Sequence, residues 1–289
     1  MKSRSLLIWP FLGLTCLASA APAASAQVET PTPAAGAAQL VPVPRFHFDA
    51  GAPLAAPAGV AADGTVCVGT VDGYVHALDA DGSYRWSYTV RGAVTRRPLH
   101  VEKLWYVATS AERIYAFTEQ GTLYWVFKPL SAVSSELAAD SAGTLYFVGA
   151  DRFLYGVSGH GSVSLRAPFG ELAAGPSAAA DGAIWAENRA GNVIRVRGQD
   201  VRRFAPQAPH EFEFSEPDTL RDPDGHLWHG RSDGIVEFRV SKDSTAQLVP
   251  LTASPLLAPA WSTASHQALF SARSGLVFAL APVQVHAQR

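Results

Sequence analysis

The sequence predicts an all-β chain of six four-stranded antiparallel sheets, set as blades around a common axis and closed into a ring by an outer strand from the N-terminal side. Three observations carry that prediction. The segment VDGYVHAL (Val71–Leu78) recurs as SAERIYAF (Ser110–Phe117), ADRFLYGV (Ala150–Val157), RAGNVIRV (Arg189–Val196), SDGIVEFR (Ser232–Arg239) and RSGLVFAL (Arg273–Leu280), at steps of 39, 40, 39, 43 and 41 residues. A period of about forty is that of β-propeller blades. Turn residues recur at matching offsets in these units. The strand segments between them, such as TVCV, LWYVA, TLYFV and LVFAL, are short apolar runs that suit strands covered on both faces. A free-standing meander would show one polar face instead.

In chain order, Lys2 and Arg4 precede an apolar run, Leu6–Leu17, which leads into ASAAPAASA (Ala18–Ala26). That is the form of a signal peptide, residues 1–26, with an A-x-A cleavage site after Ala26; the run is too short to span a bilayer. Cys16 raises the question of a lipid anchor, but Thr15 stands where a lipobox carries Gly, Ala or Ser, which argues against acylation. Residues 27–44 read as a Pro/Ala-rich linker and residues 45–289 as the propeller.

Within each unit the turn before the second strand carries Asp63-Gly64, Glu102-Lys103, Ala142-Gly143, Asp181-Gly182, Asp224-Gly225 or Ser265-His266. The turn after the third strand carries Gly82, Gly121 and Gly161, then Asp200 and Asp243. Glycine adopts positive φ freely and Asp better than most residues, as tight hairpins demand. The innermost segments (PAGVAADG, SELAADSAG, PSAAADG) are built of small residues, matching the narrow space near an axis. Stepping back forty residues from Trp86 lands on Phe46, so Arg45–Phe48 is expected to join the last sheet as its outer strand. Pro282–Val285 competes for that place. Closure of this kind removes open sheet edges.

The unit AADGTVCVGTVDGYVHALDADGSYRW resembles the PQQ-like β-propeller repeat, and TLYFVGADRFLYGV and DGAIWAENRAGNVIRV match it as well. The resemblance covers about residues 45–280. It implies the propeller fold and admits very different roles: the family includes quinoprotein alcohol dehydrogenases, the scaffold lipoprotein of the outer-membrane β-barrel assembly machine, and many other exported proteins. Those two kinds have eight blades, whereas this chain has length for six.

Removing Lys2 and Arg4 from the 23 Lys and Arg leaves 21 against 25 Asp and Glu, so nucleic acid is not expected as a partner. The segment after residue 26 keeps one cysteine, Cys67, too few for an internal disulfide. Cys67 is a candidate nucleophile, but its slot holds Tyr106, Tyr146, Trp185, Trp228 and Leu269 in the other units, so it reads as a packing residue. His76 shares a slot with Tyr115, Tyr155, Ile194, Glu237 and Phe278 and reads likewise. His226 and His229 invite a metal reading, but residues three apart on a strand point to opposite faces. Asp63, Asp181 and Asp224 form a carboxylate series in equivalent turn slots, the place where Asp serves backbone hydrogen bonding.

There is no Cys-Cys pair, CxxCH or Walker loop. No catalytic residue, metal ligand or cofactor is therefore assigned. Between the fourth and fifth units, Pro206–Gly225 departs from the repeat. It is acidic through Glu211, Glu213, Glu216, Asp218 and Asp222, and it follows Arg195, Arg197, Arg202 and Arg203. The sequence supports an exported, non-catalytic scaffold, periplasmic or extracellular, binding a protein or glycan partner in the cell envelope through its blade-rim loops. The alternatives are a small quinoprotein-like oxidoreductase and a carbohydrate-active propeller enzyme.

Overall fold

The computed structural model describes residues 39–198, 200–206 and 219–285. The signal-peptide reading of residues 1–26, including Cys16, lies outside them. The chain enters through β1 (Gln39–Asp49). Blade one is β2 (Gly59–Val60), β3 (Val66–Gly69), β4 (Tyr74–Leu78) and β5 (Tyr84–Thr89); blade two is β6 (Leu99–Val101), β7 (Leu104–Thr109), β8 (Arg113–Thr118) and β9 (Leu123–Phe127). Blade three is β10 (Ala138–Ala139), β11 (Leu145–Val148), β12 (Phe153–Val157) and β13 (Val163–Pro168). Blade four is β14 (Leu172–Ala178), β15 (Ile184–Asn188), β16 (Val193–Arg197) and β17 (Asp200–Phe204); blade five is β18 (Thr219–Arg221), β19 (Leu227–Gly230), β20 (Ile235–Arg239) and β21 (Gln247–Pro250). The last blade has β22 (Ala260–Ser262), β23 (Gln267–Ser271) and β24 (Leu276–Val285), and its outer strand is β1: the sheet order is β1-β24-β23-β22.

Phe46 pairs with Ala279 and Phe48 with Val277, so the N-terminal strand takes the predicted place. It begins earlier than expected. Gln39–Pro44, read as the end of the linker, pair with Val285–Leu280 as the first half of β1. Pro282–Val285, the competing outer strand, instead prolongs β24, because β1 already covers that side. A proline is tolerated on an outer strand, whose free edge needs no N–H.

Strand register confirms the repeat alignment residue by residue. Cys67, Tyr106, Tyr146, Trp185, Trp228 and Leu269 each face the innermost strand, opposite Gly59, Leu99, Ala138, Ser177, Leu220 and Ala260. His76, Tyr115, Tyr155, Ile194, Glu237 and Phe278 each face the second strand, opposite Val68, Val107, Phe147, Ala186, His229 and Phe270.

The turns are equally regular. The third residue of every anchor segment has positive φ, whether it is glycine, Glu112 or Arg152. Glu102 and His266 take the same conformation in the turns before β7 and β23. An L residue loses about 1–2 kcal/mol in the left-handed region, so here the hairpin geometry overrides residue preference. In blade four the left-handed residue is Gly198 and not the anticipated Asp200, which opens β17.

Because side chains alternate across a strand, a blade can send apolar groups both ways. Cys67 and Val75 of blade one meet Trp105, Val107 and Phe117 of blade two, while Val66, Val68 and Leu78 meet Leu269, Val277 and Ala279 of blade six. Shared clusters likewise join blade two to three, three to four and five to six. Ala183, Trp185 and Val193 form a cluster that, among the described residues, belongs to blade four alone.

A second contact spans the seams further out. The Trp86 indole lies over Gly121 of the next blade, where a Cβ would fall 2.6 Å from the ring, and Trp86 Nε1 donates to Glu119 O at 2.8 Å. Trp125 repeats this on blade three, over Gly161 and with Nε1 donating to Gly159 O at 2.8 Å. Phe46 covers Gly82 in the same way without the hydrogen bond. Near the axis, Arg97 donates to Ala258 O (3.2 Å) and Pro259 O (3.1 Å) of the sixth blade, and its backbone N–H donates to Glu136 of the third.

Replacing Trp86 by Ala is expected to lower unfolding free energy by about 3–5 kcal/mol through lost burial and the vacated cavity. Gly121→Ala is expected to destabilise as well, since its Cβ has no room. Urea unfolding of both variants and of the double variant checks this. The double variant should lose less than the sum, because the second change removes a contact the first has already broken.

Candidate partner-binding surface

Turns between first and second strands, and between third and fourth, emerge on one rim. Turns between second and third strands, together with the links between blades, emerge on the other, the link rim. Over blades one to three the link rim is stitched into a continuous strip. Val90 N–H donates to Gly73 O (2.7 Å), Ser110 N–H to Ala93 O (2.8 Å) and Ala150 N–H to Ala132 O (2.8 Å). The Tyr115 hydroxyl accepts from Arg91 N–H at 3.0 Å, and Ser131 Oγ from Asp151 N–H at 3.1 Å.

This fixed strip exposes Val71, Tyr74 and Leu130, the last to 75%. Arg91, Arg113 and Lys128, with Ser110 and Glu112, surround an open cleft of about 350 Å³ beside it. Among the described residues neither Arg91 nor Lys128 has an ion-pair partner, and Arg113 donates to Ala111 O at 3.2 Å. Three other cations on this rim are paired: Arg166 with Asp151 (3.2 Å), Arg189 with Glu171 (3.1 Å) and Arg231 with Asp233 (2.6 Å). Uncompensated positive charge beside exposed apolar side chains suits a partner that brings carboxylates and apolar groups of its own.

The residues singled out in the sequence sit elsewhere. Cys67 is fully buried in the seam between blades one and two, and that burial pushes its thiol well above the ordinary range, so it packs as a small hydrophobe. His76 is wedged between Phe48 (5.7 Å) and Tyr74 (6.0 Å) with both ring nitrogens buried and unbonded. Desolvation lowers its pKa, against an opposing pull from Asp72.

Asp63 and Asp181 brace their own turns, accepting from Thr65 N–H (2.9 Å) and Ala183 N–H (3.0 Å). Arg195 holds Asp181 at 2.8 Å, and these bonds, the backbone one first, keep its carboxyl below the usual range. Asp224 does not do the same work: its own N–H donates to Asp222, which supplies the brace for that turn. Arg202 pairs with Asp200 (3.0 Å) and Arg203 donates to Pro168 O (2.9 Å). Glu211, Glu213, Glu216 and Asp218 lie outside the described residues.

Asp222 is the group that sequence reasoning undervalued. Its buried carboxylate accepts from Asp224 N–H, His226 N–H and Trp228 Nε1, and His226 Nδ1 lies 2.8 Å away. Asp140 does the same in blade three, accepting from Ala142 N–H, Thr144 N–H and the Tyr146 hydroxyl. The signal was present as Asp followed six positions later by Tyr or Trp. Asp222, Asp224 and His226 bring ligand-capable atoms within 4.8 Å of one another, and they are the described residues that could hold a cation. Both Asp222 oxygens already accept hydrogen bonds, which fits a turn brace. His229 stands apart from this group, inside β19 opposite Glu237.

These sheets define a β-propeller of PQQ-like repeats. The chain belongs to the family described as outer membrane protein assembly factor BamB, which matches residues 43–201, more than half of it. No curated protein sequence matches the chain. Among solved structures, BamB from Moraxella catarrhalis is similar over 88% of this chain and 92% of its own, with TM-score 0.53 and 14% identity. The Neurospora crassa Pan2 WD40 domain is similar over 86% and 98%, with TM-score 0.59 and 10% identity. At these identities both likenesses speak to the fold. No described helix is long and apolar enough to cross a membrane.

A His whose folded pKa is depressed stabilises the fold above its unfolded pKa, and that stability is lost as pH falls below about 6.5. Stability is therefore expected to drop as pH falls below about 6.5, and His76→Phe, the residue of the sister slot Phe278, is expected to flatten that drop in urea unfolding. Asp222→Ala is expected to cost about 2–3 kcal/mol by orphaning buried donors. Thermal and urea unfolding measure it, and Asp224→Ala should cost far less.

Proposed function

We propose that this chain is an exported, non-catalytic propeller that holds a protein partner in the cell envelope through the link rim of blades one to three. The observation that carries the reading is the rigid strip where Leu130 stands exposed beside the unpaired cations Arg91 and Lys128. Membership in a family named for outer membrane protein assembly supports it. So does the use made of the polar groups a catalytic reading would draw on: Asp63, Asp181 and Asp222 brace turns, while Cys67 and His76 fill seams. The mechanism is geometric. Stiff sheets keep the strip arranged before the partner arrives, so little ordering entropy is lost on docking. The segment 1–26 supports export, with the released chain beginning at Gln27.

The test is a photo-cross-linking residue at position 130, with position 84 on the outer strand of blade one as control, in envelope preparations. A discrete adduct at 130 that disappears when Arg91 and Lys128 are both changed to Glu is the expected result. Equal labelling at both positions, or an adduct indifferent to charge reversal, overturns the reading. Dye-linked alcohol or sugar oxidation by the protein supplied with pyrroloquinoline quinone and Ca²⁺ would overturn its non-catalytic part. Mass analysis of the exported protein's N-terminus reads the cleavage site.

A further inference from the structure

On the rim opposite the link rim, the seam between blades two and three opens into a cleft of about 590 Å³, within the roughly 300–1,000 Å³ of small-ligand sites. Its wall carries Glu102, Lys103, Tyr106, Tyr124, Ser158 and His160. The Tyr124 ring is 51% exposed and is held by a hydrogen bond between its hydroxyl and His160 Nδ1 at 3.2 Å. The Tyr106 side chain is buried, yet its hydroxyl has no partner among the described residues. Glu102 likewise has no ion-pair or hydrogen-bond partner among them.

The repeat supplies its own control. In the slot of Tyr106, the Tyr146 hydroxyl donates to Asp140 (3.0 Å) and Trp228 Nε1 to Asp222 (3.0 Å). The first turn of blade two is one residue shorter than theirs between paired positions, so no carboxylate stands there for Tyr106. At the strand position of Tyr124, blade one places Arg85, which donates to Thr65 Oγ1 and pairs with Asp63 (3.7 Å) and Asp79 (3.2 Å). The corresponding groups of blade one are thus mutually engaged, whereas Glu102 and the Tyr106 hydroxyl of blade two are left open. The Tyr106 hydroxyl lines the cleft, where it is open to a ligand.

The geometry points to a binding site for a neutral saccharide in this cleft, the sugar ring stacking on Tyr124 while its hydroxyls donate to Glu102 and accept from Tyr106. A pyranose offers an apolar C–H face and a rim of hydroxyls, which matches an exposed aromatic ring flanked by an open carboxylate and an open hydroxyl. Burial, then Glu102 and Tyr124, push the Tyr106 hydroxyl up to about 12, so it stays protonated and able to donate at neutral pH. The cleft is separate from the link rim, so this site stands or falls independently of the protein-docking reading.

The test is calorimetric titration and saturation-transfer NMR of the exported protein against N-acetylglucosamine, chitobiose, maltose and galactose. At least one is expected to bind, with Glu102→Gln and Tyr124→Ala each weakening it tenfold or more, about 1.4 kcal/mol. Tyr106→Phe should weaken it too, while Lys128→Glu on the opposite rim leaves it unchanged. Glu102 and Tyr124 are exposed, and unchanged thermal midpoints for their variants separate lost binding from lost folding. Failure of all four sugars to bind, binding undiminished in the cleft variants, or a lysine-rich peptide binding there in preference to sugar would overturn the assignment.

Discussion

Blades one, two, three and six are apolar on both faces, and that constraint governs the molecule. A sheet four strands wide with Val66 and Val68 on one side and Cys67 and Val75 on the other has no solvent face, so its stability resides in the seams. The seam contacts are of two kinds. Aliphatic and aromatic residues of the middle strands interdigitate near the centre. Further out, Phe46, Trp86 and Trp125 each lie on a left-handed glycine of the following blade. The glycine serves twice: it makes the hairpin turn, and its missing side chain leaves the floor on which the ring rests. Trp86 and Trp125 add a hydrogen bond to a backbone carbonyl of the same turn, fixing the angle between neighbours as well as their distance.

With the frame fixed this way, most polar groups that attract notice are occupied in holding it. Asp63, Asp181, Asp140 and Asp222 turn the chain, and Arg195 and Arg85 span the turns from the strands. What distinguishes a site from the scaffold here is departure from the repeat. Arg91 and Lys128 are cations without the partners that Arg189 and Arg231 have on the same rim, and Tyr106 is a hydroxyl without the carboxylate that Tyr146 has in the same slot. Repetition turns each such departure into an internal comparison.

Much of the architecture was legible from period and turn chemistry. The slot alignment that placed Cys67 with Tyr106 and Trp228 is the pairing the strands adopt, and Phe46 joins the last sheet where the forty-residue step put it. Legibility failed at the edges of elements. Gln39–Pro44 look like linker because they carry two prolines and follow a Pro/Ala-rich tract, but β24 offers them a long partner, and an outer strand tolerates proline. The left-handed residue of blade four is Gly198, since glycine adopts that conformation at less cost than Asp200. The sites were less legible still: Asp222 read as one charge in an acidic run, and nothing local marks Tyr106 as unpartnered.

The sequence by itself determined the number of units, the slots within each and most of the turns that go left-handed. These follow from a short period and from local hydrogen bonding, which neighbours along the chain can satisfy. Only the tertiary structure decided which charges are compensated, which hydroxyl is orphaned and which side chains meet across the axis. Arg97 reaches Ala258, 161 residues away, and no local pattern encodes such a meeting. Pairing of that kind depends on how separate blades are brought side by side, and periodicity leaves that open.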